Sequence, residues 1–254
     1  MKQLSDLKVK IFADGADKSA MLELYSNSLV YGFTTNPSLI CKAGITDYLQ
    51  FAREITCVIR DKPISFEVFS DNFSIMEQEA KTLSALGTNV YVKLPITNTK
   101  GQSCFDLAKI LSDNGVKLNI TAVMTCSQVA HILPALRNSP GAIISVFAGR
   151  IADTGLDPIP TMKGALSLLK QYPHIELLWA STRELLNIIQ ANEMHCHIIT
   201  VTNDILKKLS LVGKDLIEFS LETVKMFYED AKKASAGRII DTLSAVPLTA
   251  SSKR

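Results

Sequence analysis

The stretch Val90-Tyr91-Val92-Lys93-Leu94-Pro95-Ile96-Thr97 is an apolar run with a single cation near its end. Runs of this kind predict a buried strand. A lysine at the end of such a strand either extends its charge into water on an apolar stem or takes part in chemistry. Desolvation disfavours the ammonium form, and a neutral lysine can attack a ketone to form a Schiff base. Lys93 is therefore the first candidate functional residue.

Seven similar runs lie along the chain, and the segments between them show the three-to-four spacing of amphipathic helices. The eight predicted strands are 9–13, 31–34, 64–69, 90–94, 118–121, 142–147, 175–180 and 198–201. Alternation of strands and helices is typical of a parallel sheet, and eight such units close into a (β/α)8 TIM barrel. The chain has 254 residues, a length that such a barrel uses as one domain.

An extra helix is predicted after the eighth unit. Residues 214–233 carry Ile217, Leu221, Val224 and Tyr228 along one stripe, which is the pattern of an amphipathic helix. We expect residues 1–233 to form one domain of barrel and helix. Residues 234–254 end in a polar stretch and are expected to be a partly disordered tail.

Composition favours a small-molecule ligand over a macromolecule. Basic residues outnumber acidic ones by 27 to 25 and are dispersed, so no face attracts nucleic acid or an anionic membrane. The N-terminal segment lacks the pattern of a signal peptide, and no run approaches the roughly 18 apolar residues of a membrane span. The five cysteines lack C-x-x-C spacing and are expected to be reduced. Together these features predict a soluble, cytoplasmic protein.

The segment His195-Cys196-His197 raises the question of a metal site, because on a strand its two histidines would share one face. They fall at the start of their predicted strand, the end that usually serves stability in a barrel. Packing is the preferred interpretation, and no metal site is predicted.

Polar residues stand at the ends of the predicted strands, where the active site of such a barrel forms. They are Asp14, Asn36, Glu67, Lys93, Asn119, Thr121, Ser145, Arg150, Ser181 and Arg183. Several interrupt an apolar pattern, as Glu67 does between Phe66 and Val68. Since a buried polar group without a partner costs about 1–3 kcal/mol, we expect these side chains to meet in one site.

Purely structural roles are open for some of them. The alternatives are a helix cap for Asp14, although Asp17 is better placed, a turn at Asn36 before Pro37, and surface ion pairs of Arg150 and Arg183 with Asp153 and Glu184. Glu67 has no such alternative, because it has neither a helix start nor a solvent face nearby.

Five segments together resemble the transaldolase family, which are Schiff-base enzymes on a barrel. They are 32–40 (Gly-Phe-Thr-Thr-Asn-Pro-Ser-Leu-Ile), 92–95 (Val-Lys-Leu-Pro), 118–121 (Leu-Asn-Ile-Thr), 145–151 (Ser-Val-Phe-Ala-Gly-Arg-Ile) and 180–183 (Ala-Ser-Thr-Arg). The resemblance covers roughly residues 9–226. It implies transfer of a dihydroxyacetone unit from a ketose phosphate, such as sedoheptulose 7-phosphate or fructose 6-phosphate, to an aldose phosphate, with no metal or organic cofactor.

The resemblance also implies a role for each site residue. Lys93 would form the Schiff base, Asp14 would take the proton of the C4 hydroxyl, and Glu67 and Thr121 would hold a water. The implied substrate-binding residues are Asn36 and Asn119 for the dihydroxyacetone unit, Ser145 and Phe147 beside the substrate, and Arg150, Ser181 and Arg183 for the phosphate.

Two other functions stay open. A fructose-6-phosphate aldolase releases free dihydroxyacetone, and in the family that activity goes with a glutamine and a tyrosine at the positions of Glu67 and Phe147. A sugar-phosphate-binding barrel without turnover is the second, although Lys93, Asp14 and Thr121 are all present. Small members of the family pack an extra helix on a neighbouring subunit, so the resemblance also implies a homo-oligomer.

Overall fold

Eight parallel strands follow one another in chain order and close into a barrel in the computed structural model, which describes residues 4–234. The strands are β1 (Lys10–Asp14), β2 (Val30–Thr34), β3 (Ile64–Glu67), β4 (Val90–Pro95), β5 (Leu118–Val123), β6 (Ala142–Val146), β7 (Ile175–Trp179) and β8 (Ile198–Thr202). β1 pairs with both β2 and β8, which closes the ring. The predicted (β/α)8 barrel is confirmed.

The helices of the described part of the chain outnumber the one per strand that the periodicity predicts. They are α1 (Lys18–Tyr25), α2 (Pro37–Lys42), α3 (Tyr48–Val58), α4 (Phe73–Ser84), α5 (Phe105–Asp113), α6 (Cys126–Ile132), α7 (Ala148–Asp153), α8 (Ile159–Leu169), α9 (Leu186–Glu193), α10 (Asn203–Lys207) and α11 (Leu216–Ala234). Both α2 and α7 have six residues, too few for a helical period to show in the sequence.

Two separate layers of apolar side chains stabilise the barrel. The outer layer lies between strands and helices and includes Phe33, Phe66 and Trp179. The inner layer consists of Phe12, Ile143, Leu178, Ala180 and Ile198. Side chains two positions apart on a strand share a face. The inner face of the barrel therefore changes from apolar to polar within two residues, for example from Phe12 to Asp14.

A glycine is required where this inner layer is tightest. A Cβ atom at Gly32 would lie 2.6 Å from the ring of Phe12, well inside van der Waals contact. The Phe12 ring therefore occupies the space that any side chain at position 32 would need. The polar layer begins immediately beyond this apolar plug, with Thr34 two residues further along β2.

Residues 4–210 form the compact unit that contains the barrel, and α11 belongs to a second unit. The predicted extra helix is confirmed over residues 216–234. None of the residues of α11 is buried, and Ile217, Leu221, Val224 and Tyr228 are all exposed. That barrel and helix form one domain stays a prediction, and the predicted tail lies, after Ala234, outside the described residues.

The sequence also predicts that no segment is apolar enough to span a membrane. Across residues 4–234, every helix is either too short or too polar to cross a bilayer.

Candidate active site

A cavity of about 530 Å³ opens at the C-terminal ends of the strands. It is lined by ten of the eleven predicted site residues, namely Asp14, Asn36, Glu67, Lys93, Thr121, Ser145, Phe147, Arg150, Ser181 and Arg183. The eleventh, Asn119, is fully buried and accepts a hydrogen bond from the Ser145 hydroxyl at 2.6 Å. The structure therefore brings the predicted residues together at one place.

Lys93 and Glu67 form a buried ion pair. The two residues are register partners on adjacent strands β4 and β3, and the Lys93 Nζ lies 2.8 Å from Glu67 Oε1. The same Nζ donates to the carbonyl oxygen of Thr35 at 2.5 Å. Lys93 is only 8% exposed, so its charge is not extended into water. The alternative that Lys93 extends its charge into water is thereby excluded, and its amine has a carboxylate acceptor at hydrogen-bonding distance.

The second oxygen of the Glu67 carboxylate is held from the other side. Its Oε2 accepts hydrogen bonds from the Thr35 hydroxyl at 2.8 Å and from the Tyr48 hydroxyl at 3.1 Å. The Tyr48 oxygen also accepts from the backbone N–H of Glu67 at 2.8 Å. Tyr48 is not among the residues predicted from the sequence. In the pattern of α3 it is one more apolar residue in line with Phe51 and Ile55, and no local signal distinguishes it.

Asp14 ends β1 and its carboxylate is also hydrogen-bonded. The Thr34 hydroxyl donates to Oδ1 at 2.7 Å, and the Asn36 side-chain amide donates to Oδ2 at 3.2 Å. Burial raises the pKa of Asp14, and the Lys93 charge and the Thr34 hydrogen bond partly oppose that rise. A raised pKa suits a group that must take up a proton near neutral pH. The helix-cap alternative is excluded, because Asp17 caps α1 by accepting from the Ala20 N–H at 2.8 Å.

Asn36 caps a helix and also contacts a second site residue. Its Oδ1 accepts from the Leu39 N–H at 3.0 Å and so caps α2, which begins at Pro37. Its amide nitrogen donates to Asp14. The helix cap therefore fixes the side-chain orientation that the second contact needs.

The opposite wall of the cavity is formed by β5 and β6. Asn119 donates to the Ser65 hydroxyl at 3.0 Å and accepts from Ser145, which fixes the orientation of its amide. The hydroxyl oxygen of Thr121 is buried but has no hydrogen-bond partner among residues 4–234. The next residue, Ala122, has a φ of 60°, a conformation that costs about 1–3 kcal/mol for a residue with a Cβ. Thr121 also lines the cavity.

Two arginines stand at the mouth of the cavity. Arg183 pairs with Asp153 through two nitrogens, one of them Nε at 3.1 Å, so Arg183 takes part in a surface ion pair, which is the structural role considered from the sequence. Both side chains are about half exposed, and Arg183 still lines the cavity. The guanidinium carbon of Arg150 lies 5.9 Å from the ring centre of Phe147. Both cations therefore lie at the cavity mouth, where Arg183 is already paired with Asp153.

The loop after β7 is held against the start of α7. Ser181 has a φ of 64°, and a Cβ atom at Gly149 would lie 1.6 Å from its carbonyl oxygen. Only glycine permits this approach. The strained Ser181 backbone therefore sits where the two mouth arginines, Arg150 and Arg183, meet the cavity.

The two histidines considered for metal binding do not share a strand face. His195 lies in a turn with a φ of 61°, and β8 begins only at Ile198. His197 Nδ1 accepts from the Leu177 N–H at 2.9 Å, which is a structural contact. Across residues 4–234, histidine, cysteine and acidic side chains do not come together in a group of three or more that could hold a metal ion.

Comparison with known proteins identifies a family to which the chain is similar. The family model for transaldolase/fructose-6-phosphate aldolase matches residues 11–238. A probable transaldolase of a Thermoanaerobacter species is 32% identical over 227 residues, which are 89% of this chain and 98% of the relative. A probable transaldolase of a Chelativorans species is 35% identical over 215 residues, covering 84% of this chain and 94% of the relative.

Solved structures resemble the chain in fold alone. A putative isomerase from Sinorhizobium meliloti has a TM-score of 0.57 at 9% identity and covers 82% of this chain and 55% of its own. A putative lyase/mutase from Burkholderia cenocepacia has a TM-score of 0.53 at 10% identity, with 95% and 89% covered. The family match over most of the barrel and the relatives above 30% identity lead to one conclusion: the chain belongs to the transaldolase/fructose-6-phosphate aldolase family.

Proposed function

We propose that the protein is a transaldolase that transfers a dihydroxyacetone unit from a ketose phosphate to an aldose phosphate through a Schiff base on Lys93. The observation that carries the proposal is the buried Lys93 amine, paired at 2.8 Å with Glu67 in a cavity that also contains Asp14 and Thr121. Family membership supports the reaction class. The arrangement supports the individual steps as follows.

Lys93 acts as the nucleophile. Its amine must lose a proton before it attacks the ketose carbonyl, and the Glu67 carboxylate is the acceptor within reach. The attack forms a C–N bond at C2, and loss of the carbonyl oxygen as water gives the iminium. The iminium then serves as the electron sink for carbon–carbon cleavage.

Asp14 acts as the base of the cleavage step. It takes the proton of the C4 hydroxyl, the C3–C4 bond breaks, and the electron pair moves to the iminium to give an enamine while the aldose leaves. Its raised pKa matches that proton transfer. Reversal of the same step on the second aldose phosphate gives a new iminium, and hydrolysis of its C–N bond by water releases the product ketose phosphate and restores the Lys93 amine.

The remaining residues bind the two ends of the donor sugar. Asn36 and Ser145 line the cavity and are proposed to hydrogen-bond the dihydroxyacetone unit, while Asn119, buried behind them, is proposed to act on it through the Ser145 hydroxyl that it accepts from. Arg150, Arg183 and Ser181 lie at the mouth, where a guanidinium can bind a phosphate with two hydrogen bonds. Asp153 competes for Arg183, so phosphate binding replaces or shares an existing ion pair.

Glu67 and Phe147 favour the transferase over the aldolase. The enamine survives for an acceptor only if it is not protonated first, so the groups that hold water and its proton determine the partition. Phe147 has no hydroxyl to donate. The Thr121 hydroxyl and the Glu67 carboxylate are the polar groups proposed to hold the water.

Borohydride trapping tests the proposal. Incubation with fructose 6-phosphate and borohydride is expected to leave a reduced adduct on Lys93, located by peptide mass spectrometry. Lys93→Ala is expected to abolish the adduct. Lys42→Ala is the matched control, because Lys42 is the other lysine that lines the cavity. An adduct on a different lysine, or none in a preparation that transfers dihydroxyacetone, would contradict the proposed mechanism.

The protein is also proposed to be a cytoplasmic homo-oligomer that neither binds nucleic acid nor associates with membranes. The support for assembly is the exposed apolar stripe of α11, with Ile217, Leu221 and Val224 between 53% and 82% exposed, since a patch of this kind usually marks an interface. Light scattering at micromolar concentration is expected to show several subunits. A monomer would refute the assembly.

A further inference from the structure

The ladder between β2 and β3 ends before the active site does. The last register pair is Thr34 with Ser65, followed by one bond from the Thr35 N–H to the Ser65 carbonyl. Glu67 therefore lies beyond the part of β3 that pairs with β2. A buried backbone N–H without a partner is costly, and the Tyr48 hydroxyl takes the N–H of Glu67 at 2.8 Å.

The Tyr48 hydroxyl also contacts the carboxylate of Glu67. It donates to Oε2 at 3.1 Å, so one oxygen atom bridges the backbone and the carboxylate of a single residue. Together with the Thr35 hydroxyl on Oε2, this bridge leaves Oε1 directed at the Lys93 amine. Burial and the Glu67 charge raise the pKa of Tyr48, so the phenol keeps its proton and remains a donor.

The position of the Tyr48 ring does not depend on this hydroxyl. The ring centre lies 4.4 Å from that of Phe69, 6.2 Å from that of Phe66 and 6.5 Å from that of Phe51. A phenylalanine would make the same ring contacts. The hydroxyl is therefore separable from packing, and its hydrogen bonds at 3.1 Å and 2.8 Å both go to Glu67.

We infer that Tyr48 is a positioning residue that holds the Glu67 carboxylate against Lys93 and so controls when the Lys93 amine loses its proton. The inference rests on the proposed function for the role of the Lys93–Glu67 pair. It adds a residue from outside the barrel strands, at the start of α3, to those that control the nucleophile.

Carbamoylation by cyanate measures the amine directly, because cyanate labels the neutral amine and needs no sugar turnover. The labelling rate at Lys93, followed by peptide mass spectrometry at fixed pH, is compared in the native protein and in Tyr48→Phe. Without the bridge the carboxylate is no longer held against the amine, so labelling at Lys93 is expected to be about three- to ten-fold faster. An unchanged or slower rate overturns the inference.

Tyr25→Phe is the matched control. Like Tyr48, Tyr25 donates its hydroxyl hydrogen to a carboxylate, that of Asp61. This contact is remote from the active site, because the neighbouring Lys62 lines a pocket with Lys10, which begins β1 at the other end of the barrel. Loss of the Tyr25 hydroxyl is expected to leave labelling at Lys93 unchanged. Circular dichroism establishes that both variants are folded.

The Glu67→Gln background separates positioning from a general structural effect. If Tyr48 acts through the Glu67 carboxylate, Tyr48→Phe changes labelling at Lys93 by less than about two-fold once that carboxylate is gone. An equal effect in both backgrounds overturns the inference. In turnover, Tyr48→Phe should lower kcat about ten-fold with little change in KM. Absence of transaldolase activity in the native protein would refute the proposed function, while the labelling result would still decide the question of Tyr48.

Discussion

Two ion pairs with the same separation lie at opposite ends of the barrel. Lys93 and Glu67 are 2.8 Å apart at the C-terminal end, and their side chains are 9% and 6% exposed. Lys10 and Glu176 are also 2.8 Å apart at the N-terminal end, where the exposed fractions are 46% and 31%. The two pairs therefore have the same N–O distance but differ in the burial of their side chains. An exposed pair contributes about 0–1 kcal/mol, whereas removing one partner of a buried pair leaves an uncompensated charge.

The residues between the two pairs follow the same division. Phe12, Ile143, Leu178 and Ile198 fill the barrel towards its N-terminal end, and the polar network begins two residues further along the strands. The apolar layer borders the cavity at Leu178. One end of the barrel interior thus serves stability, and the other holds charged groups that cost stability and are available for chemistry.

The largest effect is expected when the two lysines are removed in turn. Lys93→Ala should lower kcat for dihydroxyacetone transfer at least about 1,000-fold, because the nucleophile is lost. Lys10→Ala removes an equally short ion pair and should change kcat less than about two-fold. A coupled assay with fructose 6-phosphate and erythrose 4-phosphate measures both. Similar losses in the two variants would break the proposed division.

The free energy of unfolding should respond most to substitutions in the apolar layer, towards the N-terminal end of the barrel. Phe12→Ala empties the apolar layer and should lower the free energy of unfolding by about 3–5 kcal/mol. Phe147→Ala, at the half-buried cavity wall, is the control and should cost less than Phe12→Ala because less apolar area is lost. Urea unfolding measures both. If Phe12→Ala does not fold, Phe12→Leu should show a smaller loss in the same direction, and a larger loss for Phe147→Ala would contradict the prediction.

The ratio of dihydroxyacetone transfer to dihydroxyacetone release tests the roles of the residues at the polar end of the barrel. The native protein should transfer dihydroxyacetone faster than it releases it. Phe147→Tyr adds a hydroxyl beside the enamine and should raise free dihydroxyacetone production about ten-fold or more, and further with Glu67→Gln. The measurement is the ratio of erythrose 4-phosphate-dependent transfer to acceptor-free release. A native ratio that already favours release would make the protein an aldolase.

The smallest effect concerns pH. Asp14 must be ionised to act as a base, so activity falls as the pH decreases through its pKa, which burial raises. The Thr34 hydrogen bond lowers that pKa, and Thr34→Val should therefore move the acid limb of kcat/KM to higher pH. Thr56→Val, which removes a buried hydroxyl bonded to Ala52 on α3, should leave the limb in place. A shift to lower pH in Thr34→Val would contradict the assignment of Asp14.

Much of the site was predictable because strand ends in a barrel converge. Apolar runs located the strands, and any polar residue at a strand end was a candidate whatever its partners. Asp14, Glu67 and Lys93 could be named in this way. The partners could not. Neither the pairing of Arg183 with Asp153 nor the cap and second contact of Asn36 is encoded in local spacing, since each depends on side-chain direction.

Tyr48 shows where the limit lies. The sequence by itself determined the closed barrel, the extra helix and the set of polar residues at one end, because hydrophobic periodicity and strand order dictate which residues are buried and which ends meet. Only the tertiary structure decided that a tyrosine on α3 reaches Glu67, that Glu67 faces Lys93, and that the Thr121 hydroxyl has no hydrogen-bond partner among residues 4–234. These contacts join residues far apart in the chain. Their geometry depends on packing between elements, which no local pattern records.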